Sequence, residues 1–160
     1  MISGAEFSSC GKYRYLLYRI WDASLPKAMC VGLNPSTADA SDNDPTISHL
    51  KNILQHLGYG GLYMTNLFAL ISSKPDDLRI CPDPVADNDI WLKEASRVCN
   101  DVIYCWGNFP MAVYRAKIII RRFPGGKCFG KNKNGSPKHP LALWRAGIKN
   151  DDVTISTYTQ

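Results

Sequence analysis

Asn34, Asn66 and His139 are the side chains of this sequence whose types and positions could do chemistry together. Asn34 and Asn66 each close an apolar run, and His139 lies in a polar loop far downstream. An asparagine amide both donates and accepts hydrogen bonds, so it can read a ligand edge that does the same. It cannot take up a proton, so a general base must come from elsewhere. Asp39, Asp42 and Asp44 lie in the loop after Asn34, and Asp44 is the first choice. Each of these residues also has a plainer use. Asp44 can cap a helix, Asn34 can shape the turn before Pro35, Asn66 can bond its own strand end, and His139 can be a solvated loop histidine.

The elements that would position them can be read from periodicity. Residues 13–21 alternate basic and apolar side chains and predict an early strand. Residues 27–33, Lys-Ala-Met-Cys-Val-Gly-Leu, lack polar alternation, as a central parallel strand covered on both faces would. A polar loop over 34–43 follows. Asp44 as cap and Pro45 at the first helical position predict a helix start. Ile47, Leu50, Leu54 and Leu57 then share one face, and Gly58 is the stop. Residues 61–67 predict a second core strand with Asn66 at its end.

A long irregular stretch over 68–86, with Pro75, Pro82 and Pro84, is a candidate functional loop. Residues 87–97 predict a helix, 102–106 a third core strand, 111–123 a basic helix and 127–129 a fourth strand. Residues 130–140 form a loop of Gly, Lys and Asn, and 151–160 either add an edge strand or fray. This order predicts one domain over 1–160, a three-layer α/β/α arrangement around a mainly parallel four-stranded sheet. In such folds ligands sit at the carboxyl ends of strands. Asn34, Asn66, Trp106-Gly107 and the loop up to His139 would converge there.

Composition narrows the class. A chain of 160 residues suits a single domain. No apolar run approaches the roughly 18 residues of a membrane span, and the start lacks a basic and then apolar leader, so a cytoplasmic protein without a membrane segment is expected. The six cysteines, at 10, 30, 81, 99, 105 and 128, form no C-x-x-C pair. They predict free thiols and small core residues in a reducing compartment, and no metal or other cofactor is expected. The net charge of +5 and pI near 8.9 favour an anionic partner. Basic residues gather late, from Lys117 to Arg145. They form either a solvated face or phosphate contacts, and Lys131, Lys133 and Lys138 are the phosphate candidates.

Four segments, in order, resemble motifs of the uracil-DNA glycosylase superfamily. They are Val31-Gly32-Leu33-Asn34-Pro35-Ser36, Tyr63-Met64-Thr65-Asn66-Leu67, Val102-Ile103-Tyr104-Cys105-Trp106-Gly107 and His139-Pro140-Leu141. The chain is also similar to domain-of-unknown-function family 1643. That likeness rests on Ser-Gly-Ala at 3–5, Tyr-Arg-Tyr-Leu at 13–16, Leu-Asn-Pro-Ser-Thr-Ala-Asp at 33–39, Asp-Pro-Thr at 44–46, Asn-Leu-Phe at 66–68, Asp-Pro-Val at 83–85, Trp-Gly at 106–107 and the final His-Pro-Leu.

The glycosylase resemblance implies a glycosylase-like fold and an enzyme that cleaves the N-glycosidic bond of a flipped or free nucleobase. Asn34 would place the water and His139 would donate to the base carbonyl. Asn66 would bond the Watson–Crick edge. Ser36 and Phe68 join Asn66 as base-binding candidates, although Ser36, like Thr37, could instead meet phosphate or finish the turn, and Phe68 could be buried. No aromatic follows Asn34 closely, which leaves the stacking platform open. The last motif reads His-Pro-Leu where the superfamily has His-Pro-Ser; Leu141 or Leu143 would be a duplex wedge or part of the core. The partner would be nucleic acid or a nucleotide. The alternative is a non-catalytic nucleic-acid or nucleotide binder on the same fold, and beyond that a small-molecule enzyme or an interaction protein.

Overall fold

The computed structural model describes residues 1–159. Ile2–Phe7 (β1) and Arg14–Ile20 (β2) form an antiparallel pair. Lys27–Gly32 (β3) enters the centre of the sheet, Pro45–His56 (α1) crosses over, and Gly61–Asn66 (β4) returns parallel to β3. After the single turn Asp77–Ile80 (α2), Asn88–Val98 (α3) leads to Asp101–Tyr104 (β5), parallel to β3 on its other side. A 3-10 turn at Pro110–Ala112 opens Val113–Arg122 (α4), which leads to Lys127–Cys128 (β6), parallel to β5. Pro140–Arg145 (α5) and a 3-10 turn at Asn150–Asp152 precede Ser156–Thr157 (β7), antiparallel to β6.

The sheet order is β1-β2-β4-β3-β5-β6-β7. The fold is α/β, but the sheet is mixed and seven-stranded rather than four-stranded. The four strands expected from apolar runs are its parallel centre. β2, inside the strand expected over 13–21, extends it antiparallel together with β1 and β7. β7 falls in the 151–160 tail, where an edge strand or fraying was expected. Only β1 was not expected, its Ser, Gly and Glu escaping an apolar count.

Alternate residues of each central strand feed two cores. Ala28 and Cys30 pack with Leu62, Met64, Ile103, the α1 residues Ile47, Leu50, Ile53 and Leu54, and Leu143 of α5. Met29 and Val31 pack with Leu92 and Ala95 of α3 and Ile119 of α4. Three layers result, because a strand covered on both faces needs apolar side chains pointing both ways. Among the described residues, no helix is long and apolar enough to cross a membrane.

The basic residues of β2 do not face solvent as simple alternation implies. Arg14 and Arg19 are both buried. The 38–43 loop supplies the compensation. Arg14 Nη1 donates to the Ala38 carbonyl at 2.8 Å. Arg19 donates to Asn43 Oδ1 at 2.9 Å and to the Asp39 carbonyl at 2.6 Å. Buried guanidinium groups need such acceptors.

β3 exits toward α1 on one face, while its neighbours β4 and β5 exit toward α3 and α4 on the other. The diverging connections leave a gap at the carboxyl end of β3. This is where an open α/β sheet offers a ligand crevice.

Candidate functional site

A crevice of about 410 Å³ occupies that gap. Its wall draws on Gly32 to Ser36 after β3, Asn66 at the end of β4, and Gly107 to Phe109 after β5. Asp44, Thr46 and Ile47 at the start of α1 contribute, as do His139, Leu141, Ala142 and Arg145 around α5. Arg14, Met64, Asn132 and the Ser72, Ser73 and Pro75 segment complete it. Its volume lies within the range, roughly 300–1,000 Å³, of small-molecule sites.

Asn66 is 2% exposed, yet its Oδ1 is buried without a hydrogen-bond partner. Buried side-chain amides are seldom left in that condition, because losing water without a replacement is costly. Gly32 permits the arrangement: a Cβ there would stand 2.7 Å from Asn66 Oδ1. The backbone of Asn66 is fixed from behind, where the buried side chain of Asn88 donates to its carbonyl at 2.7 Å.

His139 caps α5, its Nδ1 accepting the backbone N–H of Leu141 at 3.1 Å. An acceptor Nδ1 puts the ring proton of the neutral imidazole on Nε2. Burial lowers the pKa of His139 to about 4; Arg145 adds to the shift and Asp44 opposes it. The side chain is therefore neutral at pH 7, with one N–H to offer. Gly107, at φ +81°, brings the neighbouring segment close: a Cβ there would meet the Phe109 ring at 3.1 Å and His139 Cβ at 3.3 Å.

Asn34 lines the crevice but spends its NH2 group on structure. It donates to the carbonyls of Pro35 at 3.2 Å, Leu70 at 3.1 Å and Ser72 at 2.9 Å. This ties the long 68–86 segment to the crevice wall and leaves the amide oxygen of Asn34 without a protein partner among the described residues. Asp44 has both of the uses read from sequence available to it. One oxygen caps α1 by accepting the Ile47 N–H at 2.9 Å, and the other makes no hydrogen bond with the described residues.

The crevice thus gathers Asn34, Ser36, Asp44, Asn66 and His139. Phe68 is not among them. It is buried in the core beneath α3 and α4, and half-buried Phe109 lies against the crevice instead. Leu143 is also core, whereas Leu141 is on the crevice wall. Lys131, Lys133 and Lys138 lie outside, in a hairpin closed by the Lys131 and Pro137 bridge. Lys131 Nζ donates to the Thr159 carbonyl at 2.8 Å.

Sequence reading missed Arg14, Phe109 and Asn132 in the wall, and had Arg145 only as the last of the late basic group. Of the first three only Arg14 had a signal, an arginine inside a strand pattern that continues with apolar residues. No group of three or more His, Cys, Asp or Glu among the described residues is placed to hold a metal ion.

A family model described as "Protein of unknown function (DUF1643)" matches residues 14–141, from one crevice residue to another. No curated protein and no solved structure matches the chain.

Proposed function

Because the chain belongs to the DUF1643 family, whose description assigns no activity, we propose a function from the crevice itself: it holds a nucleobase, and the protein hydrolyses the bond joining that base to its sugar. The supporting observation is the buried Asn66 amide, whose Oδ1 is unpartnered on a wall shared with neutral His139. A donor–acceptor amide suits the edge of a heterocycle, and Phe109 offers a ring to its face. The ordered likeness of the three strand-end motifs and the His139-Pro140-Leu141 motif at the start of α5 to uracil-DNA glycosylases points the same way.

Breaking the glycosidic bond leaves positive charge on the sugar and negative charge on the base. The Nε2–H of His139 would donate to the base oxygen on which charge grows. The free oxygens of Asn34 and Asp44 would hold a water below the sugar. The water oxygen bonds to the anomeric carbon as the carbon–nitrogen bond breaks. The bonding pair leaves with the base, and the water proton passes to Asp44. A base held in duplex DNA must first leave the stack.

The test is release of free base from nucleotides and oligonucleotides carrying uracil, hypoxanthine or mismatched thymine. Wild type should release base, and His139→Ala should be slower by roughly 10²-fold, the loss typical of an oxyanion donor. One observation favours a second reading, a binder without chemistry: the Asn34 NH2 is fully engaged and Asp44 is partly spent as a cap. Binding without base release would establish that reading. Neither binding nor release would remove both.

A further inference from the structure

The charged side chains lining the crevice are Arg14, Arg145 and Asp44, so with His139 neutral its wall carries one net positive charge. Arg145 is exposed at the margin. Arg14 is 2% exposed. Its side chain makes one hydrogen bond, from Nη1 to the Ala38 carbonyl, and its Nε is buried without a partner. It forms no salt bridge among the described residues. A guanidinium has five N–H groups in a planar fork, and a buried one that is barely paired is costly to keep. The neighbouring acid relieves it only at a distance: Asp44 lies beyond salt-bridge distance and directs one oxygen to the α1 cap.

We infer that Arg14 is an anion-recognising residue of the crevice and that the ligand is a nucleotide whose terminal phosphate reaches it. This rests on the nucleobase reading for the other half of the ligand. A terminal phosphate is compact and presents the paired oxygens that suit the fork. The deep burial of Arg14 disfavours phosphates within an unbroken strand, which pass over a protein surface. The geometry also separates this site from the lysine hairpin, since Lys131, Lys133 and Lys138 do not line the crevice. Arg14 stays cationic for the purpose: burial lowers its pKa only to about 10, with Asp44 opposing the shift and Arg19 adding to it.

The experiment is calorimetric titration of the full chain at low salt. The probes are a deoxynucleoside, its 5′- and 3′-monophosphates, inorganic phosphate alone, and an oligonucleotide without terminal phosphates. One monophosphate should bind at least about tenfold tighter than the nucleoside, the size of a charge-assisted contact. Inorganic phosphate should compete with it, and the oligonucleotide should not outdo it. Arg14→Gln should bring the ratio near one, Arg14→Lys should keep part of it, and a Lys131, Lys133 and Lys138 triple alanine variant should keep all of it.

Equal binding of nucleoside and monophosphates by wild type overturns the inference without any variant and leaves the nucleobase reading intact. So does a phosphate preference that disappears with the three lysines. Phosphate binding that needs Arg14 but is indifferent to Asn66→Leu upholds the anion site and overturns the nucleobase reading. If no probe binds, both are overturned.

Discussion

Asn88, wholly buried at the start of α3, donates its side-chain amide to the backbone carbonyl of Asn66 at 2.7 Å. The next carbonyl, of Leu67, takes Arg115 Nε at 3.0 Å and Asn88 again at 3.3 Å. Side chains from α3 and α4 thus finish the hydrogen bonding of the β4 end, and the crevice floor is steadied from the opposite face of the sheet. Asn88→Ala strands the Asn66 carbonyl, a loss of about 1–3 kcal/mol. It also removes Asn88 Oδ1, itself buried without a partner, so the net cost should fall in the lower part of that range, and ligand binding should weaken with it. Denaturant melts paired with titration check both effects; a variant as stable as wild type would remove this role.

The Asn66 side chain should behave in the opposite way. It makes no hydrogen bond among the described residues and has a buried, unpartnered oxygen. Asn66→Leu keeps the shape and removes the unmet polar group. It should be neutral or stabilising by up to about 1 kcal/mol while abolishing nucleobase binding. Thermal unfolding with and without ligand measures both. A clear loss of stability would mean that the amide is structurally employed.

His139 makes stability depend on pH in a defined window. Its folded pKa of about 4 lies below the ordinary 6.5, mainly through burial. Above pH 6.5 both folded and unfolded chains hold the ring neutral, and it contributes no slope. Between about 6.5 and 4 the unfolded chain binds the proton and the folded chain does not, so stability should fall as the pH falls. His139→Gln should flatten that segment of the stability profile. A proton titration of the imidazole by NMR with a midpoint near 6.5 would contradict the assignment.

Asn34→Asp tests anchoring separately from chemistry. A carboxylate cannot donate to the carbonyls of Pro35, Leu70 and Ser72 that the amide now serves. The variant should lose roughly 1–3 kcal/mol and show faster hydrogen exchange around residues 70–72. Loss of activity alone in an Asn34 variant would therefore not identify a water-placing role. Unchanged exchange in that segment, with activity gone, would.

The parallel centre was legible because strands buried on both faces are apolar throughout, as at Lys27–Gly32 and Gly61–Asn66. The start of α1 was legible because Asp44 and Pro45 mark it locally, and the cap bond is present. β1 was not: an edge strand half open to water needs no apolar pattern, and Ile2–Phe7 contains Ser, Gly and Glu. β7 was one of the two outcomes left open for the 151–160 tail. α5 was read only as a motif after a loop, since six residues opening at Pro140 are too few to show periodicity. Among the site residues, the strand-end polar groups stood out as interruptions of apolar runs. Arg14 showed only as an arginine inside a strand pattern, and its burial was not legible, because only the distant Ala38 carbonyl makes it tolerable. Phe68 and Phe109 differ by which segment turns toward the crevice, a tertiary fact with no local trace.

The crevice is floored by strand ends and walled by pieces attached independently, α5 on one side and the Ser72 to Pro75 segment on another. Crevice-facing residues of either wall, such as Leu141 and Ser73, take no part in the pairing that sets the registers of β3, β4 and β5. Across descendants of this fold, which molecules are admitted and how firmly they are gripped can therefore drift as separate traits.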